Sequence, residues 1–319
     1  ARLRDLGYDY FFLDQAQFPA RYSCTWEPIP GGVQGSITGP DSTVELEALT
    51  GVYARYVSYR GGSERPELSR QERLLSDAEY QCSLMQLFDL VPCTVVNRAK
   101  ASTSNDSKIW QAFLAGQHGL LTPKTLATTD PEAVRDFYEA CDHQVIYKSL
   151  SGIRSIVRAL TDDDLGARLA RVRNCPTQFQ ERILGVDVRV HTVGDQVFAT
   201  EIVSDASDYR YAGRDGTSLD ARAIEIPAAI AQACVGMART LGLEVSGVDL
   251  RRTSDDRYYC FEINPSPGFL FYERATGQPI SEAVAELLRA APRRGPAVSR
   301  ARRAGAPRRR GKEASVGDV

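Results

Sequence analysis

The chain has 319 residues, of which 43% are hydrophobic and 25% are charged. These values are typical of globular proteins and exclude collagen-like, membrane-embedded and disordered classes for the chain as a whole. No run of roughly 18 apolar residues occurs. A membrane span is therefore not expected, and no signal-like apolar segment stands at the start.

The net charge of −2 is unevenly distributed. From Ala290 onward the chain carries eight Arg and one Lys against Glu313 and Asp318, a net charge of +7, so the remainder carries −9. An acidic body is therefore followed by a basic tail. The tail consists mainly of Arg, Pro, Gly, Ala and Ser, which cannot bury enough apolar area to order itself. We expect a disordered basic tail over residues 291–319.

The seven cysteines are scattered, and none of them forms a CxxC pair. Their spacing argues against a disulfide framework and a structural zinc site, and favours free thiols in a reducing cytoplasm. Lysine is rare, since the 39 basic residues include only the lysines Lys100, Lys108, Lys124, Lys148 and Lys312. In a chain that otherwise uses arginine, each lysine is a candidate for a specific role, and codon bias is the alternative explanation for its presence.

The N-terminal segment predicts a helix, a glycine and then a strand over Tyr10–Leu13, which is the second half of a βαβ unit. The preceding strand is therefore expected to be missing from this sequence. Capping residues, glycines and apolar periodicity predict the later elements. In chain order these are a loop or hairpin at 31–40, strand-like residues that end Val44–Tyr59, a helix over Leu74–Phe88, a strand end at Thr94–Asn97, a helix from Ser104 or Asn105 to near Gly116–Gly119, a helix after Asp130, a strand over Val145–Lys148, a hairpin of Val186–His191 and Val197–Val203, a helix over Ile226–Leu241, a hairpin of Val248–Arg251 and Tyr258–Ile263, and a helix over Ser281–Arg289.

The segment GVDLRRTSDDRYYCFEINPSPGF carries the strongest local pattern. If the turn is centred on Asp255 and Asp256, Asp249 faces Glu262 across the hairpin, and Asn264 shares their sheet face. Two opposed carboxylates repel each other, and a divalent cation between them would reverse that repulsion. Oxygen ligands of this kind suit Mg²⁺ when substrate phosphates complete its coordination. The pattern predicts a metal site, with a solvated acidic sheet face as the alternative.

Six ordered segments resemble the ATP-grasp superfamily, and specifically its RimK-like carboxylate–amine ligases. They are SNDSKIWQAFLAGQHGLLTPKT, VIYKSLSGIRSIV, FQERILGVDVRVHTVGDQVFA, DYRYAG, SGVDLRR and FEINPSPGF, and they cover roughly residues 95–290. Their joint order and spacing make the resemblance specific. A second resemblance, to the ATP-grasp ribosomal peptide (graspetide) maturases, lies in VELEALTGVYARYVSYR, VVNRAKASTSNDSK and DYR.

The resemblance implies an α/β (α+β) class, with an ATP-grasp fold that holds the nucleotide between two β-sheets after an N-terminal α/β pre-ATP-grasp domain. The implied divisions are an N-terminal domain over 1–97, a small central subdomain over 98–175, a C-terminal subdomain over 176–290 and the tail over 291–319. The implied cofactors are ATP and Mg²⁺, or Mn²⁺, with the metal on Asp249, Glu262 and Asn264.

The same resemblance implies which residues contact the nucleotide. Lys108 and Lys148 would approach the ATP phosphates, where a lysine supplies a compact positive charge, and surface positions are the alternative for both. The loop that contains Gly152 would cover the phosphates with backbone N–H groups. Asp187 would lie near the nucleotide. The adenine edge would be read by the backbone at Gln180, Glu181 and Arg182.

Two arginines are implied as catalytic residues. Arg189 would bind the substrate carboxylate or the transferring phosphate through its guanidinium fork. Arg210, in DYR, would bind the γ-phosphate or the acyl phosphate, with a solvated loop arginine as the alternative. His191 lies on the polar face of the same strand as Arg189. It is expected to be a hydrogen-bonded structural residue, with substrate lining as the alternative.

The implied activity is a two-step ligation through an acyl phosphate. A substrate carboxylate attacks the γ-phosphate of ATP, and an amine, or in some maturases a hydroxyl, then attacks the acyl carbon. The identity of the donor and the acceptor, a peptide or an amino acid, stays open, as does a homo-oligomer. One alternative is a maturase that crosslinks peptide side chains. Another is a nucleic-acid-binding protein that uses the basic tail, which the acidic body and the lack of tail aromatics disfavour.

Overall fold

The computed structural model describes residues 2–56, 68–150, 157–204 and 219–290, which form a mixed α/β architecture. Its strands are β1 (Ser23–Ile29), β2 (Gly32–Thr38), β3 (Thr43–Glu45), β4 (Gly51–Tyr53), β5 (Thr94–Val96), β6 (Thr125–Thr128), β7 (Val145–Ser149), β8 (Arg158–Ala159), β9 (Thr177–Glu181), β10 (Val186–Val193), β11 (Gln196–Ser204), β12 (Leu219–Ile224), β13 (Val245–Arg252) and β14 (Tyr258–Asn264). Its α-helices are α1 (Arg2–Asp5), α2 (Arg70–Leu90), α3 (Ala99–Ser102), α4 (Lys108–Gln117), α5 (Pro131–Ala140), α6 (Asp162–Ala167), α7 (Ala228–Thr240), α8 (Leu270–Thr276) and α9 (Ile280–Arg289). None of the helices in these ranges is both long and apolar enough to cross a membrane.

Helix α2 organises the N-terminal part of the chain. It begins with a capping box, in which the Ser69 hydroxyl accepts the Glu72 N–H and the Glu72 carboxylate accepts the Ser69 N–H. This reciprocal pair satisfies two backbone donors at the start of the helix. Leu84 and Leu87 of α2 share a buried core with Val33 of the antiparallel sheet β1-β2-β3, while β4 and β5 pair in parallel. The predicted helix over Leu74–Phe88 is confirmed.

The strand predicted over Tyr10–Leu13 is wrong, because this segment has no regular secondary structure. Phe11 and Leu13 pack against the N-terminal core, whereas Phe12 is 72% exposed. A short apolar run alone does not make a strand, which needs a neighbouring strand to pair its backbone groups. The stretch at 31–40, in contrast, contains β2 and forms a hairpin with β1.

The four-stranded antiparallel sheet has the order β6-β9-β7-β8. One of its faces packs on α5, where Val134 and Tyr138 contact the core around Phe179. Asp130 caps α5 and Pro131 opens it, as expected. The predicted boundary between residues 175 and 176 stays a prediction, and it falls just before β9, the strand that pairs with β6 and β7.

The five-stranded antiparallel sheet has the order β12-β11-β10-β13-β14. Helices α4 and α7 cover one face, with Leu114 and Met237 in the shared core. Helices α8 and α9 cover the other face, through Tyr272 and Val284. Both hairpins predicted for this region are confirmed. The short helix α8 was not predicted, because its single apolar turn follows a proline-rich segment without a helical repeat.

Buried Asn97, at the end of β5, joins the N-terminal part to the five-stranded sheet. Its Nδ2 donates to the carbonyls of Val245, at 2.6 Å, and of Pro265, while its Oδ1 accepts the N–H of Glu244 at 2.8 Å and that of Val245 at 3.2 Å. Since Pro265 directly follows β14, this one amide anchors the end of the hairpin that contains the predicted metal ligands.

Candidate active site

The β13–β14 hairpin brings the three predicted metal ligands together. Asp249 pairs with Glu262, which confirms the predicted pair, and Asn264 lies two residues further along β14. The register shifts by one residue just beyond Asp249, with Phe261 as the extra residue on β14. A β-bulge of this kind bends the strand and re-aims its side chains, and bulges are frequent beside active sites.

Two basic side chains accompany the opposed carboxylates. Arg189 Nη1 lies 2.6 Å from Asp249 Oδ1, and Lys108 Nζ lies 3.4 Å from Glu262 Oε2. These four side chains are between 6% and 18% exposed. Because little water screens them, their electrostatic attraction is stronger than that of surface pairs. Each carboxylate therefore has a positively charged neighbour that offsets the repulsion predicted from sequence.

The oxygen atoms of Asp249, Glu262 and Asn264 fit a hard divalent cation. Asn264 Oδ1 accepts the N–H of Ser266 at 2.8 Å, which fixes the orientation of the amide. A carbonyl oxygen has a second lone pair, so this hydrogen bond leaves it able to bind a metal. Among the described residues, no group of three His, Cys, Asp or Glu side chains is arranged for a metal ion. A three-ligand site at this hairpin therefore depends on the asparagine.

Lys148 lies on β7, on the face of the four-stranded sheet opposite α5. Its Nζ donates to Gln180 Oε1 at 3.2 Å, and Gln180 donates to Thr125 Oγ1 at 3.1 Å. Gln178, the partner of Lys148 on β9, is 2% exposed, and its Oε1 accepts no hydrogen bond from the described part of the chain. This face of the sheet therefore carries a cluster of buried polar side chains around Lys148.

The segment predicted to read adenine lies at the end of β9. The Glu181 N–H donates to the Lys124 carbonyl at 2.9 Å, and the Arg182 N–H donates to the Gln144 carbonyl at 2.8 Å. The backbone donors of these two residues are thus used within the protein. Adenine recognition by this segment, which stays a prediction, would need its other backbone groups.

Asp187 is bound by an arginine that was not among the predicted site residues. Arg251, its partner on β13, donates to Asp187 Oδ1 from Nε at 2.9 Å and from Nη2 at 2.6 Å. The same guanidinium donates to the Ile183 carbonyl at 3.0 Å. Opposite charges at paired strand positions were the sequence signal for this contact. The Asp187 carboxylate therefore orients Arg251, and its predicted place near the nucleotide stays a prediction.

The loop residue Gly152, the catalytic candidate Arg210 and the basic tail over 291–319 lie outside the described residues. The described residues do bring Lys108, Arg189 and the three hairpin ligands together. They also reveal Gln111 on α4, a buried residue that hydrogen-bonds β14 and was not among the predicted site residues. Its signal was a lone polar side chain within the apolar run IWQAFLA.

His191 is fully buried on the same sheet face as Arg189, with its ring centroid 4.8 Å from that of Tyr272. Neither ring nitrogen makes a hydrogen bond of standard geometry to a described residue, so the expected hydrogen-bonded histidine is wrong. Burial, followed by the charge of Arg189, lowers the pKa of His191 to about 3, while Asp249 and the Gly268 backbone oppose this change. The ring is therefore neutral near pH 7.

We expect His191 to make the stability of the fold depend on pH. The unfolded chain binds a proton at the ordinary pKa of 6.5, whereas the folded protein binds it only at about 3. The free energy of unfolding should therefore fall as the pH drops below the ordinary value, by about 2 kcal/mol at pH 5. The free energy of unfolding is measured with urea at pH 7 and at pH 5. Its decrease between these two pH values should be about 2 kcal/mol smaller in His191→Phe than in the wild type. Equal pH dependence in the two proteins would contradict this expectation.

A family model described as a RimK-like ATP-grasp domain matches residues 104–288. Among curated proteins, a probable alpha-L-glutamate ligase of Pseudoalteromonas translucida (strain TAC 125) is 26% identical over 217 residues. That alignment covers 66% of this chain and 71% of the relative.

Similar solved structures extend over more of the chain. The macrocyclase MdnC bound with the precursor peptide MdnA, from Microcystis aeruginosa MRC, has a TM-score of 0.76 at 26% identity, covering 91% of this chain and 93% of that chain. The ATP-grasp ligase PsnB complexed with a minimal precursor has a TM-score of 0.74 at 28% identity, covering 90% of this chain and 91% of that chain. The predicted fold class is confirmed. The chain belongs to the RimK-like ATP-grasp family and is an ATP-dependent ligase.

Proposed function

We propose that this ligase activates a carboxylate of a peptide as an acyl phosphate and joins it to an amine or a hydroxyl group. One observation carries the choice of a peptide. The similarity to a ligase bound with its precursor peptide covers 91% of the chain, whereas the RimK-like model covers residues 104–288 and leaves the N-terminal part out. The N-terminal part, built on α2 and the sheet β1-β2-β3, is accordingly the proposed place of peptide recognition.

Asp249, Glu262 and Asn264 are the proposed ligands of Mg²⁺ or Mn²⁺. When bound, the ion would neutralise negative charge on the phosphate oxygens of ATP. Lys108 and Lys148 would add positive charge from two sides, since Lys108 lies on α4 beside the five-stranded sheet and Lys148 on the four-stranded sheet. This arrangement supports a nucleotide held between the two sheets.

Arg189 is proposed to orient the reacting carboxylate or the phosphate. Its guanidinium is held by Asp249 at 2.6 Å and its side chain is 6% exposed, so it is rigid before a substrate binds. A preorganised cation costs little reorganisation when charge develops on the transferring group. Arg210, Gly152 and the backbone at Gln180–Arg182 complete the proposal in the roles that the family resemblance implies.

The proposed chemistry has two steps. A carboxylate oxygen forms a bond to the γ-phosphorus of ATP, the bond to the bridging oxygen breaks, and ADP leaves. The amine nitrogen or hydroxyl oxygen then attacks the acyl carbon and loses its proton, while inorganic phosphate leaves. Because every reacting group except the nucleophile is anionic, positioning and charge neutralisation by Lys108, Lys148 and Arg189 would supply most of the rate acceleration.

ADP release by the purified full chain tests this proposal. The chain is incubated with MgATP and either a peptide encoded beside it or a mixture of amino acids. Peptide-dependent ADP release and a product that has lost one water per new bond are expected. Added hydroxylamine should divert the activated carboxylate to a hydroxamate, which identifies the acyl phosphate.

The opposite pattern would overturn the choice of a peptide. ADP release with free amino acids alone, and a product extended by an amino-acid residue, would instead favour an amino-acid ligase like the relative named alpha-L-glutamate ligase.

All seven cysteines are free thiols, which suits the reducing cytoplasm in which we propose that the ligase acts.

A further inference from the structure

Gln111 lies on α4, with its side chain against the outer edge of β14. The residue is 1% exposed, and its amide bonds both backbone groups of Ile263. Its Oε1 accepts the Ile263 N–H at 3.1 Å, while its Nε2 donates to the Ile263 carbonyl at 2.9 Å and to the Ser104 carbonyl at 3.0 Å. The side chain thus bonds this strand residue as a neighbouring strand would.

Ile263 lies between two of the proposed metal ligands. Its N–H belongs to the peptide unit that joins it to Glu262, and its carbonyl belongs to the peptide unit that joins it to Asn264. Because Gln111 binds both groups, it restrains both peptide units against rotation. The two ligand side chains, which project from the same sheet face, are therefore fixed relative to each other.

Strand β14 needs such a restraint because it is an edge strand with a bulge. It pairs with β13 on one side, and the extra residue Phe261 directly precedes Glu262. A bulge leaves its extra residue unpaired and locally disrupts the hydrogen bonds between the strands. The Leu121 carbonyl accepts the Cys260 N–H at 2.8 Å before the bulge, and Gln111 holds Ile263 after it. The outer edge is therefore pinned on both sides of the irregularity.

The same helix contributes the cation beside Glu262. Lys108 lies three residues before Gln111, one turn away on the same side of α4, and its Nζ is 3.4 Å from Glu262 Oε2. We propose that Gln111 is a positioning residue that sets the spacing of Glu262 and Asn264 and fixes them relative to Lys108. This inference rests on the metal site of the proposed function.

The test measures metal binding directly. Mn²⁺ is titrated into the full chain with saturating ADP and followed by electron paramagnetic resonance, and ADP affinity is measured separately with EDTA. Gln111→Leu, which matches the size of the side chain and removes its polar atoms, should weaken Mn²⁺ binding about tenfold or more. ADP affinity in EDTA should stay unchanged. Gln117→Leu, the same substitution at an exposed position of α4, should match the wild type in both measurements.

A second variant guards against a folding defect. Gln111→Met, which is unbranched like Gln, adds no charge and also removes the polar atoms, should weaken Mn²⁺ binding by a similar factor. A folded Gln111→Leu protein with wild-type Mn²⁺ affinity would overturn the positioning role alone. Unfolding of both variants would also overturn it, because the role would then be purely structural. A wild type that binds no Mn²⁺ with ADP would instead overturn the metal site itself, and this inference with it.

Discussion

The double variant Asp249→Asn, Glu262→Gln is expected to lose ATP turnover by roughly 10³-fold while it stays folded. Both substitutions preserve shape and an acceptor oxygen and remove only negative charge. The Asn at position 249 can still accept the hydrogen bond from Arg189, which now spans 2.6 Å to Asp249. Without the two carboxylates, however, the site loses most of its attraction for a divalent cation.

The measurement is substrate-dependent ADP release, with near-ultraviolet circular dichroism as the check on folding. A matched control lies in the same hairpin, where Asp255→Asn, Asp256→Asn changes two carboxylates whose side chains are 58% and 85% exposed. This control should keep wild-type turnover, because its carboxylates lie in the turn. Near-wild-type ADP release by the Asp249→Asn, Glu262→Gln protein would contradict the metal assignment.

The pairing of Asp249 with Glu262 could be predicted from the sequence, but the register of the strands near the turn could not. Strand alternation and the TSDD turn place Asp249 opposite Glu262, which the structure confirms. Near the turn, however, Arg252 pairs with Tyr258, one residue out of the expected register, and the bulge at Phe261 restores the pairing. A bulge depends on packing across the sheet. Sequence periodicity gives no sign of a bulge. The predicted pair is correct because the one-residue shift near the turn and the extra residue at the bulge offset each other.

Other features depend on contacts between segments that are distant in the chain. Gln111 contacts Ile263, and Asn97 contacts Val245. In the sequence these two amides look like ordinary polar residues, because their partners are close only in the folded chain. His191 shows the reverse, since a polar residue on a strand that carries Asp187 and Arg189 was expected to find a hydrogen-bond partner. Its burial beneath α8 follows from helix packing on the sheet, which the missed helix made impossible to predict.

Lys148→Met is expected to lower kcat/KM for ATP by roughly 10²- to 10³-fold, because it removes a charge proposed to face the phosphates. Methionine keeps the length and apolar stem of the side chain, so the fold should persist although Lys148 is 8% exposed. Lys124→Met is the matched control, since the Lys124 Nζ donates to the Ala140 carbonyl at 3.0 Å on an exposed part of the chain. Steady-state ADP release against ATP concentration separates the two variants. Equal kcat/KM in both would show that the rarity of lysine in this chain does not mark the phosphate site at Lys148.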